Sequence, residues 1–145
     1  MTTSRRSFLK RATFTGVPFL LPGRIWANAV KPNDKPGMAF IGMGIQARAL
    51  LNNFLRQDVN VLAVCDVDTT RREDARVKVD TFYKEHPEKG VPGNCKAYND
   101  FREVLARKDI SLVCVATPDH WHAYITIEAM RSGKDVYCEK PLTYS

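Results

Sequence analysis

Gly42-Met43-Gly44-Ile45-Gln46-Ala47 has the G-x-G-x-x-A spacing of a loop that can bring a polypeptide backbone against a pyrophosphate. In such a loop Gly42 permits a sharp turn, Gly44 permits close approach to phosphate, and Ala47 still lets a helix pack tightly on its strand. Ile45 and Gln46 would open that helix and offer its free N–H groups and positive dipole end to the phosphates. Asp66 closes the apolar run VLAVCD about 20 residues further on, where a carboxylate accepts hydrogen bonds from an adenosine ribose. The same carboxylate repels a 2′-phosphate, so the pattern predicts NAD rather than NADP, while Arg71 and Arg72 nearby are the residues that would suit NADP. Two more groups carry chemistry: Thr117, Asp119, His120, Trp121 and His122 in ATPDHWH, and Glu139 with Lys140 in CEKP.

These residues need elements that bring them together, and the hydrophobic pattern supplies them. After residue 37 short apolar runs alternate with amphipathic stretches: MAFIG and IQARALLNNFLRQ, VNVLAVCD and TTRREDARVKVDTFYKEH, CKAY and NDFREVLARK, ISLVCVAT and HAYITIEAMRSG, then DVYCEK. The apolar runs are continuous rather than alternating, as in strands covered by helices on both faces. The expected fold is α/β, a doubly wound parallel sheet of Rossmann type in a single domain. Helix faces are expected at Ala75, Val79 and Phe82, at Phe101, Val104 and Leu105, and at Ala123, Ile127 and Met130. Asn99 or Asp100 can cap the third helix, and Asp68 or Thr69 the second. Ligands of such a sheet bind beyond the carboxyl ends of the strands, where the strand order reverses. Thr117 through His122 are then expected to face a dinucleotide across the crevice from the glycine loop, in a loop after the fourth strand. Glu139 and Lys140 are expected at its nicotinamide end, Lys140 held in a tight turn before Pro141. The plainer roles here are caps or surface positions for the two histidines, core for Trp121 and surface for Lys140. His-x-His without a third ligand predicts no metal site.

The first 29 residues read differently. Ser4-Arg5-Arg6-Ser7-Phe8-Leu9-Lys10 followed by the apolar stretch ATFTGVPFLL makes a twin-arginine export signal, and Ala27-Asn28-Ala29 a peptidase site with cleavage after Ala29. The apolar run is shorter than the ~20 residues a bilayer-spanning helix needs. No stable membrane insertion is therefore expected after cleavage. The signal engages the twin-arginine translocation machinery and directs the chain to the periplasm or the extracellular space. Residues 30 to 37 form a linker before a domain running from 38 to 145. The formal charge of +6 is concentrated in the signal, which holds five basic and no acidic residues, leaving +1 for the rest. A nucleic-acid partner is excluded on that ground. Cys65, Cys114 and Cys138 lie in strand-like runs and, with Cys95, show no metal-ligand spacing, so buried free thiols are expected.

Taken together, IGMG, CDVD, ATPDHWHA and VYCEKPLTYS resemble the glucose-fructose oxidoreductase/inositol dehydrogenase (Gfo/Idh/MocA) family from about residue 38 onward, especially its exported bacterial members. The resemblance implies that Gly42 and Gly44 hold the pyrophosphate and Asp66 the ribose. It implies that Trp121, His122, Glu139 and Lys140 contact the nicotinamide half, with Lys140 close to the reacting carbon and the catalytic candidate of this chain. Many relatives carry further glycine or arginine where this chain has Ile45-Gln46-Ala47. Relatives also continue into a second domain with the substrate pocket and further catalytic residues, so the chain is expected to be the cofactor half of an enzyme, any homo-oligomer forming through that other domain. The activity implied is NAD-dependent hydride transfer with a sugar or polyol, with NAD-dependent glycoside hydrolysis by transient sugar oxidation as the alternative. A dinucleotide-binding fragment without catalysis is a third. Export and cofactor fit together: an enzyme using NAD outside the cytoplasm must leave already folded around it.

Overall fold

The computed structural model describes residues 35–143, and the residues read as an export signal and its cleavage site, with residues 30–34 of the expected linker, lie outside the described residues. The apolar runs form five strands, β1 Gly37–Ile41, β2 Asn60–Cys65, β3 Lys96–Tyr98, β4 Leu112–Val115 and β5 Asp135–Cys138. Between them lie α1 Ile45–Phe54, α2 Thr69–Glu85, α3 Phe101–Leu105 and α4 Asp119–Arg131. The strands pair in the order β3-β2-β1-β4-β5, parallel throughout. Burial falls outward with that order: every residue of β1 and β2 is buried, whereas β5 alternates exposed and half-buried.

Two cores result. Met38, Phe40, Val61 and Val64 face α1 and α2 with Leu51, Val79 and Tyr83, while Ala39, Ile41, Ala63, Val113 and Val115 face α3 and α4 with Val104, Ile125 and Ala129. Strand residues alternate faces except where β2 slips one residue against β1, so that Leu62 and Ala63 share a core; one continuous apolar run still supplies both cores. This is the doubly wound Rossmann arrangement expected from the sequence, and it reverses beside β1. β3 reaches only Ala63–Cys65 of β2, and side chains serve the earlier backbone groups. The Val61 N–H donates to the Tyr83 hydroxyl at 2.7 Å, and Arg107 Nη1 donates to the Leu62 carbonyl at 2.8 Å.

Three expectations require correction. Lys35 to Gly37, read as the end of a linker, belong to the fold: Lys35 is buried with its Nζ donating to the Glu88 carbonyl at 3.0 Å, and Gly37 opens β1. α4 begins at Asp119, so Asp119 through His122 form its first turn rather than a loop. Its buried face is His122, Ile125, Thr126 and Ala129, whereas Ile127 and Met130 of the expected face are exposed. α4 carries apolar residues around most of its circumference, so spacing alone allows more than one phase.

Candidate functional site: a cleft over the strand ends

Backbone bonding continues one residue past the strands and gives the site a rigid floor. Asp66 N–H donates to the Tyr98 carbonyl, Gly42 N–H to Cys65, Ala116 N–H to Ile41 and Glu139 N–H to Val115, at 2.8–3.1 Å. Above it opens a cleft of about 570 Å³, in the range of small-molecule sites. The glycine loop, the ends of β2 and β3, and the start of α4 line it, through Gly42, Gly44, Ile45, Gln46, Asp66, Thr117 and Trp121 among others.

Gly42 sits at φ +87°, and a Cβ there would stand 2.6 Å from the Ala116 carbonyl oxygen. Only glycine meets both constraints. Gly44 is the residue before α1 and offers no side-chain cap, so the first N–H groups of α1 have no side-chain acceptor. A Cβ on Gly44 would meet nothing within 4 Å. Ala47 is fully buried beneath, as close helix packing requires. The Asp66 carboxylate accepts from the Met43 N–H at 2.7 Å through Oδ2 and from the Asp68 N–H at 2.9 Å through Oδ1. It thereby fastens the loop to the end of β2. The cap of α2 is Asp68, which accepts from the Arg71 N–H, and that of α3 is Asp100, which accepts from the Arg102 N–H. Asp66 is thus relieved of capping.

Asp119 and His120 are exposed on the first turn of α4 and do not line the cleft. Trp121 does, with 43% of its surface exposed and Tyr124 5.9 Å away, ring to ring. His122 points the other way. Successive helical residues are rotated by about 100°, so three neighbours in sequence face three directions. His122 is 1% exposed, with Nδ1 2.7 Å from the Pro141 carbonyl oxygen and Nε2 2.8 Å from that of Thr117. It does not line the cleft where a cofactor contact was expected, and both ring nitrogens face backbone carbonyls. Glu139 and Lys140 follow β5, one strand beyond Thr117 and outside the cleft, Lys140 exposed and Glu139 half-buried. The Tyr137 hydroxyl donates to Glu139 at 3.3 Å, and that carboxylate pushes the tyrosine pKa up.

Val67, Arg71, Asn99, Phe101 and Arg102 also line the cleft and were not singled out as site residues from sequence, apart from Arg71. A signal was present. Asn99 to Arg102 follow β3, the second strand from the reversal on that side, and strand carboxyl ends are where ligands lie. Arg102 stacks over the Phe101 ring at 4.8 Å. Cys65 lines the cleft floor, but burial foremost, then the Asp66 charge, push its thiol up to about 12. It supplies no thiolate. Cys95 and Cys114 are likewise buried and raised to about 12, chiefly by burial, while Cys138 is half-buried, and all four thiols are free.

The residues present fit a dinucleotide. An uncapped helix N-terminus with open space at Gly44 suits a pyrophosphate. A carboxylate with lone pairs to spare suits a ribose diol. Thr117 Oγ1, buried at the cleft wall without a hydrogen-bond partner, awaits one.

Known proteins agree with this geometry. "Glycosyl hydrolase family 109 protein" of Shewanella pealeana is 29% identical over 98% of this chain and 34% of its own length. The protein of that name from Shewanella baltica is 31% identical over 95% of this chain and 33% of its own. The chain thus spans about a third of the length of the curated relatives it matches. Among solved structures, myo-inositol dehydrogenase from Lactobacillus casei, in complex with NAD(H) and myo-inositol, superposes with a TM-score of 0.62 at 27% identity, over 75% of this chain and 29% of that one. The family whose sequence model matches residues 37–145 is GFO_IDH_MocA, described as "Oxidoreductase family, NAD-binding Rossmann fold". The chain belongs to that family and is its NAD-binding Rossmann domain.

Proposed function

We propose that this chain is the cofactor-holding part of an exported NAD-dependent enzyme that acts on a sugar or polyol by hydride transfer. The observation that carries the reading is the meeting, over one rigid floor, of the uncapped α1 N-terminus, the Asp66 carboxylate and the unpartnered Thr117 hydroxyl. Gly42, Gly44, Ile45 and Gln46 would hold the pyrophosphate, and Asp66 the adenosine ribose, excluding a 2′-phosphate by charge. Thr117 and Trp121 would bound the opposite wall. When bound, the nicotinamide ring supplies a hydride acceptor, which no protein side chain provides.

What this chain adds to the chemistry is Lys140. Its ammonium stands at the β5 end, where it stabilises negative charge developing on a substrate hydroxyl oxygen or relays that proton. Such an interaction is stronger in the transition state than in the ground state, so it raises turnover. In the full-length enzyme Lys140→Met is expected to lower turnover about 10²-fold or more while NAD affinity stays within about threefold. The test is single-turnover reduction of bound NAD by a panel of sugars and polyols, alongside NAD calorimetry. A Lys140→Met variant with full chemical rate and weakened NAD binding would make the lysine a cofactor clamp.

A second reading has its own support. The glycosyl hydrolase relatives align over nearly all of this chain, and the alignment with the Shewanella pealeana protein reaches into residues 1–34, where the export signal is read. On that reading the sugar is oxidised transiently, its leaving group is eliminated, and the cofactor returns to its starting state within one cycle. Release of free sugar from a glycoside with no net NADH formation favours it; stoichiometric NADH favours the simple oxidoreductase.

A further inference from the structure

Beyond the strand ladder, the segment Lys140–Thr143 is exposed, and among the described residues a single hydrogen bond holds it to the rest of the domain. That bond joins the Pro141 carbonyl to His122 Nδ1. The other ring nitrogen, Nε2, engages the Thr117 carbonyl, in the wall of the cleft. Both carbonyls lie just past strand ends, where no neighbouring strand continues to pair them. With its proton on Nδ1 the ring donates to the Pro141 carbonyl and sets its opposite edge against the Thr117 carbonyl, so one rigid ring fixes the separation of the two. A polar ring 1% exposed would itself be unfavourable without such partners.

We infer that His122 is a positioning residue, a buried strut from the first turn of α4 that sets the Lys140 segment against the cleft wall at Thr117. The inference rests on the reading of Lys140 given above. It separates two roles that the neighbouring residues suggest together: Trp121 faces the ligand, and His122 aligns the backbone behind it. The exposed lysine side chain keeps its freedom, while the peptide that carries it is held.

The experiment uses the two amides that each reproduce one edge of the ring. Asn carries an N–H where His122 has Nδ1, and Gln where it has Nε2. In the full-length enzyme, backbone ¹⁵N relaxation at Lys140 and Leu142 should show order parameters falling from about 0.85 to below about 0.6 in His122→Gln and His122→Leu, and staying high in His122→Asn. Glu139, bonded to Val115, should not change in any variant. Turnover should fall about tenfold or more in the Gln and Leu variants and recover in Asn, with NAD affinity retained, because small misplacements of a reacting group are costly. Unchanged order parameters in His122→Leu, or Asn behaving like Gln, would overturn the strut. If the order parameters follow the expectation while Lys140→Met retains full turnover, the strut stands and the catalytic role of Lys140 falls.

Discussion

The Asp66 carboxylate engages the Met43 N–H with one oxygen and the Asp68 N–H with the other, which leaves a lone pair on each for a diol. Sequence located this acid by its distance from the glycine loop, but could not show that it also fastens the loop. It also left Arg71 and Arg72 equivalent. The structure separates them: Arg72 Nη1 donates to the Asp66 and Val67 carbonyls and to Asn99 Oδ1, whereas Arg71 lines the cleft with a loose 3.7 Å ion pair to Asp68. Arg71 is therefore the guanidinium available to a 2′-phosphate. Asp66→Ala is expected to weaken NAD about tenfold or more, as loss of a charged acceptor does, and to narrow the preference over NADP. Adding Arg71→Ala should restore discrimination against NADP. Calorimetry with both dinucleotides checks this; equal affinities in the unmodified protein would remove Asp66 from its role. The histidines show the complementary limit, since H-x-H reads as a pair in sequence and helical rotation sends one ring into solvent and the other into the core.

At the scale of elements, the strands were legible because burial on both faces demands uninterrupted apolar runs, and β1, β2 and β4 sit where those runs lie. The phase of α4 was not, because its buried face includes His122 and Thr126, while Tyr124, Ile127 and Met130 face outward. Hydrophobic spacing cannot register a core position filled by a hydrogen-bonded histidine. Tyr83 was missed for a related reason. Its neighbour Phe82 matched the apolar pattern, yet Tyr83 is the residue fully buried, with its hydroxyl accepting from the Val61 N–H beside the short β3. Burial foremost pushes that hydroxyl up to about 12, so it stays neutral across the working range. Tyr83→Phe leaves a buried N–H without an acceptor and is expected to cost about 1–3 kcal/mol by denaturant unfolding. A change within about 0.5 kcal/mol, typical of uninvolved surface sites, would mean the Val61 N–H finds another partner.

At the scale of the molecule, export is a proposal with a direct test. Replacing Arg5 and Arg6 by Lys should retain a reporter fusion in the cytoplasm with its leader uncleaved, if the proposed twin-arginine export is right; normal export of the double variant would refute it. The topology adds a constraint of another kind. β1, at the centre of the sheet, pairs with β2 on one edge and with β4 on the other, and Met38 meets Leu112 across the second edge. Among the described residues every pairing is parallel, so none of these strands joins its neighbour by a hairpin and each awaits a crossover. Folds dominated by such distant pairings form slowly, because loop closure must precede the contacts that stabilise it. A ribosome delivers β1, α1 and β2 long before β4, so the wall at Thr117 is among the last parts of the cleft to be made. Capture of a dinucleotide then reports that this domain has finished folding, which on the proposed export reading would serve as a checkpoint for a translocation route that accepts folded cargo.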